Sequence, residues 1–276
     1  MQQTETYKSV LPSSILSRYE VMETGSAAKI IEAVCPEELK EILEVLDNFK
    51  LTSELLLSPG GNKGPVPTLI DSTLHEKGWI EARVDLEKKV YFFEGHNTSK
   101  TAENEECPDN LVSRIYQKGY AIDNVKGRLA ADIEWNPKDG NLDRDFAAYR
   151  AWFDEGIIVA AILITRLHDS TKDLTREIWA DFISRNPQHA DKKQPVDYRT
   201  TTTANYEKAV QRILRGDLGT CPILMFGIGE GAWDEILWTG NVLKWDKEGR
   251  KLVPCPHKFE VDSSKSSKVT YSVQNI

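Results

Sequence analysis

Asp123-Asn124-Val125-Lys126-Gly127-Arg128-Leu129-Ala130-Ala131-Asp132-Ile133-Glu134-Trp135 reads as a strand end, a tight turn at glycine and a second strand that carries carboxylates. Side chains alternate between the two sides of a strand, so Leu129, Ala131, Ile133 and Trp135 share one face. Asp132 and Glu134 share the other. A hairpin through Val125-Lys126-Gly127 brings the Asp123 carboxylate back beside that pair. Three carboxylates at the mouth of an apolar sheet repel one another and lose hydration; a divalent cation that favours hard oxygen ligands, such as Mg²⁺, relieves both costs. A plainer reading competes with this one, because two acids alternating along a strand also describe its solvated face.

Working outward, the residues after the hairpin continue a regular pattern. Asn136-Pro137-Lys138-Asp139-Gly140-Asn141 is a turn, and residues 142–155 carry Phe146, Tyr149, Trp152 and Phe153 at helical spacing. Residues 157–166 are an apolar run of strand length, which makes strand, helix, strand: a parallel crossover. Leu174, Ile178 and Phe182 mark a further helix, residues 186–199 a polar linker, residues 206–214 a helix and residues 222–228 another buried strand. Upstream, helices are expected at residues 27–34, from Pro36 onward with Leu39, Ile42, Leu43 and Leu46 as its stripe, and at 68–76. Residues 58–65 form a breaker-rich loop without the G-K-[ST] ending of a phosphate loop. A strand is expected at 90–94, an exposed loop at 95–109 and a short helix at 111–118. Residues 1–24 read as a loosely packed lead-in, and the tail from Lys244 as edge strands or partly disordered chain. The fold class is therefore α/β, a central mixed sheet flanked by helices, in a single domain spanning 1–276.

Composition excludes several classes. With 35 basic and 43 acidic residues in 276, the net charge of −8 argues against a protein that coats nucleic acid by bulk electrostatics, though not against a cleft with a local basic lining. No apolar run reaches transmembrane length, and Met1-Gln2-Gln3-Thr4-Glu5-Thr6 has neither the basic nor the apolar part of a secretory signal. Cys35, Cys107, Cys221 and Cys255 are scattered without a C-x-x-C pair, as in a cytoplasmic protein with reduced thiols. Cys255-Pro256-His257 is too short to make a zinc site.

Asp123, a spacer, then Asp132-Ile133-Glu134 resembles the signature of the PD-(D/E)xK nuclease superfamily, with Glu in the place usually held by Lys. The surrounding residues narrow the resemblance to the BglII-type restriction endonucleases. They are Glu134-Trp135-Asn136-Pro137-Lys138-Asp139, then Arg144-Asp145-Phe146, then the strand ending Ile164-Thr165-Arg166. Pro59-Gly60-Gly61-Asn62-Lys63, Gly78-Trp79-Ile80-Glu81, Thr200 to Thr203 and the stretch from Arg215 to Ile228 also fit, in order, over about residues 58–228. Residues 229–276 form an extension without resemblance. The chain departs from the family in having Asp132 where many members have Glu, and in a polar stretch after the turn at 136–141 where relatives are more aromatic.

The resemblance implies Mg²⁺-dependent hydrolysis of double-stranded DNA at a specific, palindromic site by a homodimer, with a methyltransferase acting separately on the same site. It implies that Asp123, Asp132 and the backbone carbonyl of Ile133 hold the metal. Glu134 would orient or deprotonate a water, or take a second metal. The missing positive charge falls to Lys126 or Lys138, both of which also read as phosphate-contacting or plain surface lysines. Glu81 is either a further carboxylate or a packing partner of Trp79, and His168 reads as a surface residue rather than a general base. Candidates for reading DNA are Asn62, Lys63, Arg144, Arg199, Thr200, Thr201 and Thr202. Two other readings stay open: a structure-selective repair nuclease of the same superfamily, and a DNA-binding regulator with an inactive core.

Overall fold

The computed structural model describes residues 2–60, 64–95, 110–200, 202–246, 248 and 251–262. From the amino end come β1 (Gln3–Thr4), α1 (Tyr7–Val10), α2 (Ser13–Leu16), β2 (Tyr19–Thr24), α3 (Ala27–Val34) and α4 (Pro36–Asn48). α5 (Ser53–Leu57), α6 (Pro65–Glu76), β3 (Ile80–Arg83), β4 (Leu86–Tyr91) and β5 (Leu111–Gln117) follow. The centre of the chain supplies β6 (Ala121–Lys126), β7 (Leu129–Glu134), α7 (Gly140–Asp154), β8 (Ala160–Arg166) and α8 (His168–Arg185). After α9 (Tyr206–Arg215) and β9 (Ile223–Ile228), β10 (Asn241–Asp246) and β11 (Lys251–Pro256) form a hairpin.

The main sheet has seven strands in the order β1-β2-β9-β8-β7-β6-β3. β7, β8 and β9 run parallel, with Glu134 level with Thr165 and Thr165 level with Gly227; the outer pairings are antiparallel. Every residue of β8 and β9 is buried, which is why those strands read as unbroken apolar runs rather than as alternations. Helices cover both faces. One layer packs α3, α4, α5, α6 and α8 onto Leu129, Ala131, Ile133, Ile162, Ile164 and Phe226. The other packs Leu142, Phe146, Tyr149 and Trp152 of α7, with Ala209 and Ile213 of α9, onto Ala130, Ala161, Leu163 and Met225. The expected α/β architecture, with its central hairpin and parallel crossover, is present.

Two expectations for the chain are corrected. Residues 111–118 are not a helix: β5 pairs antiparallel with β4 in a separate ribbon, Glu87 opposite Tyr116 and Lys88 opposite Ile115. Val112, Ile115 and Tyr116 favour a strand, and 52–66% exposure at these positions removed the one-sided burial that periodicity detects. Residues 1–24 are not a loose lead-in either. Tyr19, Val21 and Met22 are buried where β2 pairs with β9 along its length. The extension after residue 228 joins the main core: Trp238 is fully buried, 4.6 Å from Phe182 between ring centroids, and Val242 belongs to the same apolar cluster. No helix among the described residues is long and apolar enough to cross a membrane.

Candidate active site

The hairpin forms as its sequence dictates. Asn124 pairs with Ala131, Val125 with Ala130 and Lys126 with Leu129, and Gly127 closes the turn at a φ of 54°. A Cβ at Gly127 would stand 2.6 Å from Glu38 Oε1, the mobile end of a side chain that can swing away, so it is the positive φ that makes the turn need glycine. Leu129, Ala131, Ile133 and Trp135 face the α4–α6 layer, while Asp132 and Glu134 face α7. That second face is not solvated: Asp132 is 4% exposed.

Asp132 is fixed on both oxygens. The Asp123 amide donates to Oδ1 at 2.8 Å, and the Tyr149 hydroxyl donates to Oδ2 at 2.6 Å. Tyr149 comes from α7, and one helical turn earlier the same face presents Asp145, which hydrogen-bonds Glu134. Leu142, Asp145, Phe146 and Tyr149 follow the i, i+3, i+4, i+7 rule, so Asp145 interrupts an apolar stripe aimed at the sheet. That interruption is the sequence signal for a fourth carboxylate, and reading the stripe only for its aromatics passes over it.

Asp123, Asp132, Glu134 and Asp145 all line one cavity of about 360 Å³. Burial pushes Glu134 up to about 8, helped by the charges of Asp132 and Asp123. Burial and the charge of Glu134 push Asp145 up to about 8 as well. Asp132 also rises well above the ordinary carboxylate range, through burial first and then Asp145. The opposing influence comes from Arg144, also in the cavity wall, whose charge lowers both Glu134 and Asp145. Four acids and one arginine make a pocket short of positive charge.

The donor set fits a hard divalent cation. Besides the carboxylates, Asp145 Oδ2 is buried without a hydrogen-bond partner. The Ile133 side chain lies in the opposite layer while the residue still lines the cavity, so its backbone forms part of the wall. Among the described residues, no three acidic, histidine or cysteine groups already converge on one point as a finished ligand set.

The other residues singled out from sequence divide sharply. Arg144 is in the wall, beside the turn residues Asn136 and Pro137. Lys126 is not brought there, which corrects its candidacy as the missing catalytic cation. Its Nζ donates to both Glu41 oxygens at 2.6 and 2.8 Å and to the Lys77 carbonyl at 2.8 Å, on the sheet face opposite Asp132. Lys138 is exposed, and its backbone bridges to Thr203. Glu81 is exposed on β3, and the Trp79 indole donates to Glu41 instead. Arg199 pairs with Asp197; Thr200 and Thr202 are exposed. Asn62, Lys63 and Thr201 lie outside the described residues, although Gly60, Gly64 and Pro65 on either side of the first two line the cavity. His168 lies outside the cavity wall, its amide held by Glu207.

Compared with known families, residues 19–228 match the family model described as Restriction endonuclease BglII/BglIII, a span that opens at the first residue of β2 and closes at the last of β9. No curated protein matches the chain.

Proposed function

The chain belongs to the BglII/BglIII restriction endonuclease family, and from that premise we propose that the acidic cavity is where it hydrolyses double-stranded DNA with Mg²⁺. The observation that carries the assignment is the convergence of Asp123, Asp132, Glu134 and Asp145 on one cavity beside Arg144. Asp123, Asp132 and the Ile133 carbonyl are the residues that would hold the cation. When bound, it supplies Lewis-acid stabilisation of phosphate charge and lowers the pKa of a water.

The protein's own groups divide the remaining work. Tyr149 and the Asp123 amide lock Asp132 in one rotamer, so the ligand is set before DNA arrives. Burial and the neighbouring carboxylates raise Glu134, which keeps it largely protonated at neutral pH in the metal-free site; once ionised it can accept a proton from an attacking water, with Asp145 as its hydrogen-bonded neighbour. Arg144, which lines the cavity, supplies the positive charge that the superfamily's more usual lysine would give and would meet a phosphate oxygen. Arg199, Thr200 and Thr202 would contact the duplex outside the cavity. A symmetric duplex site calls for two copies related by a two-fold axis, hence a homodimer, with a separate methyltransferase protecting the same sequence.

The test is incubation of plasmid DNA with purified protein, with Mg²⁺ or with EDTA, and sequencing of the ends. Discrete metal-dependent fragments with fixed termini are expected, lost in Asp123→Ala and Asp132→Ala. Fragments with variable ends would favour a structure-selective nuclease, and site-specific binding with no cleavage under any divalent cation would remove the assignment.

A further inference from the structure

Arg166 ends β8 and is wholly buried, with no carboxylate paired to it among the described residues. Glu207, the acid whose charge acts on it, is bound instead to the His168 amide at 3.1 Å. A buried guanidinium without a counter-charge is costly, so the contacts it does make identify its purpose. Nε donates to the Trp135 carbonyl at 3.0 Å, one residue beyond Glu134. Nη2 donates to Thr203 Oγ1 at 2.9 Å, and Nη1 lies 3.3 Å from both Thr171 Oγ1 and His168 Nδ1. The guanidinium carbon stands 4.9 Å from the centre of the Tyr198 ring, and the Tyr198 hydroxyl accepts from the Trp135 indole at 3.0 Å.

These contacts join two parts of the site that are distant in sequence. The turn after β7 and the threonine segment are zipped together by Asp139 N–H to Thr202 O at 3.0 Å and Ala204 N–H to Pro137 O at 2.9 Å. Arg166 lies beneath that zipper, gripping the strand end with one edge of its fork and the threonine segment with another. Trp135 and Tyr198, its two aromatic neighbours, both line the acidic cavity.

We propose that Arg166 is a positioning residue that couples Thr202 and Thr203 to the end of the catalytic strand, so that seating these threonines on cognate DNA sets the place of Glu134. This rests on the endonuclease reading of the cavity. Arginine is required because only a planar fork reaches the Trp135 carbonyl and the Thr203 hydroxyl together; lysine presents one point charge. The contact to Thr171 on α8 serves packing and carries no such information.

Single-turnover cleavage and binding in Ca²⁺ separate these roles, using Thr203→Val, Thr171→Val and Arg166→Met. Thr203→Val is expected to slow cleavage of cognate DNA about tenfold, the worth of one charge-assisted hydrogen bond, with the dissociation constant unchanged within about threefold. It is also expected to narrow the rate ratio between cognate DNA and sites altered at one base pair. Thr171→Val should leave both rate and ratio at the wild-type level. Where Arg166→Met folds, adding Thr203→Val to it should cost nothing more, because the two side chains act through one bond. Equal effects of the two threonine variants, or losses that multiply in the double variant, would overturn the coupling. If Arg166→Met does not fold, the threonine pair alone decides. Wild-type protein that cleaves no DNA refutes the endonuclease reading itself, whereas wild-type cleavage with an indifferent Thr203→Val refutes only the role of Arg166.

Discussion

Asp145→Asn is expected to make the metal-free protein more stable and the loaded enzyme less active. In the fold, burial and the neighbouring Glu134 raise Asp145 from its ordinary 3.8 to about 8. A carboxyl whose folded value lies above its unfolded value contributes stability in full below the unfolded pKa and loses it as pH rises through the folded one. Between about pH 4 and pH 8 the cluster therefore weakens the native state progressively. Taken alone at pH 7, the shift corresponds to about 4 kcal/mol, at 1.36 kcal/mol for each pH unit. Asp145 is half-buried at a cavity wall and shares its titration with Glu134, so the amide should recover about half of that, roughly 2 kcal/mol. For a chain of this size that is a rise of about 4–8 °C in Tm near pH 7.5, fading toward pH 4. Thermal unfolding in EDTA across that range measures it, with single-turnover cleavage in Mg²⁺ as the companion assay. A Tm difference that does not change with pH, or an amide variant that melts below wild type at pH 7.5, would show that Asp145 is not destabilised by its neighbours. The stability–function trade behind the prediction is ordinary for a charged site built to receive a cation.

Two other substitutions separate structural from catalytic groups. Lys126→Met should keep cleavage within about threefold of wild type and cost about 1–2 kcal/mol, since it breaks an ion pair whose side chains are 30% and 23% exposed. Burial raises Glu41, but hydrogen bonds from Lys126 and Trp79 outweigh it and hold it below the usual carboxylate range. The difference from wild type in urea unfolding should accordingly be full at neutral pH and shrink as pH falls through the lowered value; a large loss of cleavage at unchanged stability would restore Lys126 to the active site. Tyr149→Phe should leave Asp132 Oδ2 without its donor and cost about 1–3 kcal/mol, with cleavage reduced tenfold or more. Retention of full activity in Tyr149→Phe would mean that Asp132 does not need to be held.

How much of this was legible in the sequence depended on where each residue faces. The central hairpin, the crossover through α7 and the buried strands β8 and β9 were readable because each buries a regular face. The strand β2 was missed because Tyr19–Thr24 mixes apolar residues with Glu20, Glu23 and Thr24 and shows no regular alternation, and its partner β9 lies some two hundred residues away. β5 was missed because an exposed ribbon buries neither face. In both cases the deciding contact is non-local, and no window of sequence contains it.

The site follows the same logic, and its one misplaced residue was decidable from the chain. Lys126 lies three positions after Asp123, and an odd offset along a strand puts two side chains on opposite faces. The residues that share its face are Asn124, which donates to Asp71 of α6 at 2.8 Å, and Lys126 itself, which reaches Glu41 of α4. The rule that grouped Asp132 with Glu134 thus excludes Lys126 when applied to the preceding strand. Applied to a helix, the same kind of periodicity admits Asp145, four residues before Tyr149, and leaves Arg144 at the rim of the cavity where a phosphate would approach. A cation beyond the sheet cannot replace the missing lysine, whereas on the reading proposed above an arginine one residue from the fourth carboxylate would. The charge that offsets the acids among the cavity residues thus comes from α7, the helix that also fixes Asp132.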